Sequence, residues 1–115
     1  MKSKILLILL ILLFPTTAVS GSIFGKIEIQ KNDVDETIQT STTDLEVKCG
    51  NELYKEKVKI PGPYKIDVEK TGVCILTIKI GNQSLTYKVH SKEQAVRYNF
   101  ILKENNEGSY SLKRN

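Results

Sequence analysis

Few side chains in this 115-residue sequence could carry out covalent chemistry. His90 is the only imidazole, and the alternation around Val89 places it on the wet face of a strand. A serine or cysteine nucleophile would depend on that one exposed base. Ser91 is adjacent in sequence, but neighbours along a strand point to opposite faces, and no serine lies in a Gly-x-Ser-x-Gly setting. His90 therefore reads as an exposed, solvated histidine. Glu28, Glu46, Asp67 and Glu69 fall opposite or between lysines on wet faces, as solubilising charge does. A glycosidase pair would need a cleft that so small a domain does not offer. Asp33, Asp35 and Glu36 cluster in a polar connection where oxygen ligands could hold calcium, but the spacing lacks the central glycine and terminal glutamate of an EF-hand. A plain solvated loop is expected there, with no metal and no cofactor, and the chain is read as non-enzymatic.

Aromatic side chains offer binding chemistry instead. There is no tryptophan, and Tyr64, Tyr87, Tyr98, Phe100 and Tyr110 lie on rows expected to be buried. Phe24 faces away from the isoleucines around it, and Tyr54 falls in an expected turn beside Lys55 and Lys57. Phe24 and Tyr54 are thus the two aromatic groups most available to a ligand.

The elements that must position these groups follow a period of two from Gly21 onward, the pattern of strands with one face buried. Inward rows run through Ile23, Gly25, Ile27 and Ile29; Leu45, Val47 and Cys49; Tyr64, Ile66 and Val68; and Cys74, Leu76, Ile78 and Ile80. Leu85, Tyr87 and Val89, then Val96, Tyr98, Phe100 and Leu102, then Tyr110 and Leu112 complete the set. Turn chemistry separates them at Pro61-Gly62-Pro63, Thr71-Gly72, Gly81-Asn82-Gln83-Ser84 and Asn105-Asn106-Glu107-Gly108. The prolines make the stretch from Val58 to Val68 either two strands or a bent edge strand. Asn32 to Thr43 reads as a long polar connection, and Ser91 to Ala95 leaves room for one short turn. The expected fold is all-β: a single antiparallel sandwich of two sheets and about seven strands.

At the amino terminus, Lys2 and Lys4 precede an apolar run from Ile5 to Phe14, which is too short to cross a bilayer and is closed by Pro15. Ala18-Val19-Ser20 supplies the small residues of a cleavage site, so residues 1–20 are expected to be a signal peptide and 21–115 the working domain, secreted or periplasmic, with no transmembrane span after cleavage. Losing Lys2 and Lys4 lowers the formal charge from +4 to +2, and the lysines form no block in sequence, so a nucleic-acid partner is not expected. An oxidising compartment suits a Cys49–Cys74 disulfide, with both residues on inward rows. Closing that loop stabilises a small domain by about 3 kcal/mol. Asn82-Gln83-Ser84 is also an N-glycosylation acceptor sequence in a turn.

The segment Gly62-Pro63-Tyr64-Lys65-Ile66-Asp67-Val68-Glu69-Lys70-Thr71-Gly72 resembles the G-x-Y-x-φ-x-V-x-x-x-G stretch of carboxypeptidase regulatory-like domains, which are similar in fold to transthyretin. Ile23-Phe24-Gly25-Lys26-Ile27 resembles that family's first strand, and Gly50-Asn51-Glu52-Leu53-Tyr54 its Gly-x-aromatic turn. The likeness spans residues 23 to about 102; the usual Gly-x-Pro-Leu segment is absent, and a disulfide is no hallmark of the family. The resemblance implies a seven-stranded, non-catalytic module that packs against or binds proteins or glycans. The functions expected are a binding or accessory module, a secreted hydrolase inhibitor presenting a rigid loop such as 49–57 or 60–64, or a subunit that assembles by edge-strand pairing.

Overall fold

The structure, a computed structural model, describes residues 21–31 and 40–115. The expected signal peptide and the cluster Asp33, Asp35 and Glu36 lie outside the described residues. The described residues form nine strands: β1 (Gly21–Gln30), β2 (Ser41–Cys49), β3 (Glu52–Ile60), β4 (Gly62–Val68), β5 (Gly72–Ile80), β6 (Gln83–Ser91), β7 (Val96–Arg97), β8 (Phe100–Glu104) and β9 (Tyr110–Arg114). They make two sheets. One has the order β4-β1-β8-β9 with β7 also on β1, and the other the order β3-β2-β5-β6.

The all-β, two-sheet expectation holds; the count of about seven and the purely antiparallel pairing do not. One added strand is β3, whose first half carries Glu52, Lys55, Glu56 and Lys57 and so shows no apolar alternation. The other arises because the expected row from Val96 to Leu102 breaks into β7 and β8. Parallel pairing enters because β1 lies between β4 and the carboxy-terminal strands, antiparallel to β4 but parallel to β7 and β8. Segments so distant in sequence have no hairpin to force an antiparallel approach.

Two-residue turns set the register of the four-stranded sheet. Cys49 pairs with Glu52 and Ile80 with Gln83, leaving Gly50-Asn51 and Gly81-Asn82 as the loops. Both turns open on a left-handed residue, with φ of 61° at Gly50 and 57° at Gly81, which glycine adopts without steric cost. The span 49–57, expected as a loop, is therefore mostly hairpin. Pro61 alone separates β3 from β4, after a cis Ile60–Pro61 peptide, and at this corner the chain leaves one sheet for the other. The opposite side is closed by the Gln83 side chain. Its amide accepts from the Tyr110 N–H at 2.7 Å and donates to the Tyr110 carbonyl at 3.2 Å, joining β6 to β9. The stretch after Ser91 is a bend rather than a helical turn.

Between the sheets, Ile23, Ile27, Leu45, Val47, Val68, Leu76, Ile78, Val89, Phe100 and Leu102 are fully buried. Each such side chain contributes about 1.5–3 kcal/mol of transfer free energy. Tyr64, Tyr87 and Tyr98 gather around Phe100, with ring centroids 6.3, 5.2 and 6.1 Å from it. Among the described residues, no helix is long and apolar enough to cross a membrane.

Cys49 and Cys74 are disulfide-bonded, with Cα atoms 4.4 Å apart. The β2–β5 register, in which Lys48 faces Ile75, brings them opposite each other, so the bridge joins neighbouring strands of one sheet. The loop it closes contains β3, the Pro61 corner and β4, and hence the excursion into the second sheet and back. On the outer face of the same sheet, the Glu46 carboxylate lies 3.2 Å from Lys79 and 3.6 Å from Lys55. The hydrogen bond and charge of Lys79, then Lys55, hold the Glu46 pKa below its ordinary value.

Two outcomes are expected. Replacing both cysteines with alanine should lower the unfolding free energy by about 3 kcal/mol in urea titration, and a change below about 1 kcal/mol would contradict an unfolded-state role for the bridge. A carboxylate with a depressed folded pKa stabilises above its ordinary pKa, and that contribution is lost as pH falls through the folded value. Glu46→Gln should therefore melt with a smaller drop between neutral pH and pH ~3 than the parent does.

Candidate functional site

The site grows from an interruption in the ladder between β1 and the strands beside it. Ile23 and Phe24 pair with Val96 and Arg97, and pairing resumes at Ile27 with Phe100 in the same register. In between, Tyr98 turns into the core and Asn99 replaces the missing backbone acceptor, its Oδ1 taking the Lys26 N–H at 3.0 Å. The Tyr98 N–H donates to the Phe24 carbonyl at 2.8 Å. Gly25 makes this approach possible, since a Cβ there would lie 2.1 Å from the Tyr98 carbonyl oxygen.

Tyr98 is fixed from several sides. The Tyr64 hydroxyl donates to its carbonyl, and its own hydroxyl accepts the His90 N–H of the opposite sheet at 2.9 Å. Burial first, and the neighbouring Tyr98 phenol second, raise the Tyr64 pKa well above the ordinary tyrosine value, so the hydroxyl remains a donor. The Arg114 guanidinium lies 4.3 Å over the Tyr98 ring and donates to the Arg97 carbonyl at 3.3 Å, while the Asn115 N–H donates to the Asn99 carbonyl. The pucker is thus tied to β1, β4, β6 and the carboxy-terminal residues.

On the outer face the same pucker leaves an open depression of about 510 Å³ lined by Phe24, Gly25, Lys26, Glu28, Pro63, Arg97 and Asn99. Phe24 sits in its wall, flanked across the strands by Lys65 on β4 and Arg97 on β7. The Arg97 guanidinium lies 5.3 Å from the Phe24 ring centroid. A half-exposed ring between two cations, on strands whose backbone groups are already paired, can stack on a flat apolar surface and attract anionic groups beside it.

The two aromatic candidates from sequence do not share a site. Phe24 faces outward from the five-stranded sheet, as its alternation requires. Tyr54 is not in a turn: it is the third residue of β3, pairs with Val47, packs half-buried against the core, and accepts the Lys70 N–H on its hydroxyl at 3.1 Å. The two-residue turn at Gly50-Asn51 starts the strand earlier than the surrounding lysines suggested. Nothing in the sequence marks Arg97, Asn99, Lys65 or Pro63 as a binding residue. Their outward alternation was visible, but the pucker that gathers them was not.

Among the other chemical candidates, His90 is exposed on the outer face of the four-stranded sheet, whereas Ser91 is buried, its hydroxyl without a hydrogen-bond partner among the described residues. The two point to opposite faces. Asn82 is exposed at the β5–β6 turn. No group of three or more His, Cys, Asp or Glu side chains that could hold a metal ion occurs among the described residues. No protein-family model matches the chain, and no curated protein aligns with it significantly.

Gly25→Ala tests the pucker. The added methyl must displace the Tyr98 carbonyl, so a loss of about 2 kcal/mol or more in unfolding free energy is expected. Asn99→Ala, which removes one acceptor, should cost about 1 kcal/mol.

Proposed function

We propose that the protein is an exported, non-enzymatic binding module that engages a protein or glycan through the Phe24 depression. The single observation that carries this reading is the cross-strand row Lys65–Phe24–Arg97, set over a pucker that is hydrogen-bonded into the core. A site held in place before binding loses little conformational freedom when a ligand arrives. Around the ring, Lys26, Lys65 and Arg97 stand against the carboxylates of Glu28 and Asp67, a small excess of positive charge that favours ligands with anionic groups.

Export is supported by the apolar amino-terminal run and by the bridged cysteines, which belong to oxidising compartments. A non-catalytic role is supported by the separation of His90 and Ser91 onto opposite sides of β6. Kinship with carboxypeptidase regulatory-like domains forms part of the proposal. It draws support from the pairing of the two segments that carry the resemblance, β1 and β4, which lie antiparallel with Gly25 opposite Tyr64. β3 carries Lys55, Lys57 and Lys59 along the outer face of its sheet edge, an arrangement that discourages strand addition and so disfavours assembly through that edge.

Retention on immobilised acidic and neutral glycans, and on envelope proteins, tests the reading. Phe24→Ala or Arg97→Ala should weaken retention about ten-fold or more while leaving the melting temperature near that of the parent. Unchanged retention in both variants, or a hydrolase activity abolished by His90→Ala, would overturn it.

A further inference from the structure

The opposite side of the sandwich has a different composition. Among the described residues, Leu53, Val73 and Ile75 are the large hydrophobic side chains most exposed to solvent, at 49%, 54% and 41%. All three lie on the outer face of the four-stranded sheet. Leu53 pairs with Lys48, Lys48 with Ile75 and Ile75 with Lys88, so they form one row across all four strands. Val73 adjoins Ile75 two residues along β5 and pairs with His90. This row lies at the disulfide end of the sheet, beside Cys49 and Cys74.

Lysines that are scattered in sequence are collected on the same face. Among the described residues of this face, Lys48, Lys55, Lys57, Lys59, Lys79 and Lys88 point outward against Asp44 and Glu46, and Glu46 is already shared between Lys55 and Lys79. The face is a sheet surface about 15 Å from its first strand to its last. It has no aromatic residue and no arginine, the residue types that anchor protein interfaces, and it is rich in lysine, which those interfaces lack. Aliphatic side chains that enter an apolar layer, surrounded by lysines that remain among anionic headgroups, match a lipid surface instead.

We infer that this face docks the protein reversibly onto an anionic lipid bilayer, with Leu53, Val73 and Ile75 entering the acyl boundary and the lysines contacting headgroups. The Phe24 depression is on the other sheet and would point away from the membrane, so the inference is independent of what that depression binds.

Vesicle co-sedimentation tests it with residues 21–115, which contain all nine strands and the bridge. Vesicles of phosphatidylcholine with about one-third phosphatidylglycerol should bind the protein about ten-fold more tightly than pure phosphatidylcholine, and the difference should shrink as salt is raised. Lys48→Gln with Lys88→Gln should reduce that preference several-fold. Val73→Ser with Ile75→Ser keeps every charge yet should weaken binding about ten-fold, which separates insertion into a bilayer from simple attraction to a polyanion. Lys103→Gln with Lys113→Gln, on the other sheet, should bind as the parent does. Equal affinity for both vesicle types, no binding to either, or parental binding by the Val73→Ser/Ile75→Ser variant would overturn the inference. If the parent ignores vesicles but the same substitutions abolish capture of a protein partner, the face is a protein interface and the lipid assignment is wrong.

Discussion

The hydrogen bond from the Tyr64 hydroxyl to the Tyr98 carbonyl fixes the part of the molecule on which the candidate site depends. A backbone carbonyl turned out of a strand ladder and buried must find another donor or pay a desolvation penalty of about 1–3 kcal/mol. Tyr64 supplies that donor from β4. With the carbonyl satisfied, Tyr98 can place its ring beside Phe100 and its hydroxyl on the His90 N–H of the opposite sheet. One residue thereby links both sheets, and the outward depression is the external counterpart of an inward packing requirement.

The two outer faces follow from a common rule with different outcomes. On strands whose inner rows are apolar, every second residue faces water, and its identity is free of packing demands. On the five-stranded sheet these positions hold a ring between cations over an interrupted ladder. On the four-stranded sheet they hold aliphatic residues and lysines over an unbroken ladder. A sandwich only two sheets thick separates these surfaces by a single core layer, so a molecule of this size can present two chemically distinct faces without a second domain.

Much of the inner architecture was legible in the residues. The rows through Ile23 and Ile27, Leu45 and Val47, Ile66 and Val68, and Leu76 and Ile78 are buried as their alternation requires. The inward positions of Cys49 and Cys74 pointed to the bridge that forms. What escaped was set by pairing rather than by local composition. β3 is held by its hairpin with β2 and turns Tyr54, Val58 and Ile60 towards the core, so its charged first half did not read as a strand. The parallel pairing of β1 with β8 has no local signature. The split between β7 and β8 depends on Gly25, more than seventy residues away, having no side chain. Phe24 was legible as an exposed aromatic because its alternation is local, whereas Arg97 and Asn99 joined it only through that long-range contact.

The placement of the disulfide bears on survival among proteases. Cys49 and Cys74 bracket the Gly50-Asn51 turn, the Pro61 corner and the Glu69–Thr71 connection, which are among the sharpest bends of the chain. A single backbone cut at any of these three points leaves both fragments covalently attached, with the strands on either side of the cut still seated in their sheets. Such a ring lets the molecule lose continuity at these bends without shedding a fragment.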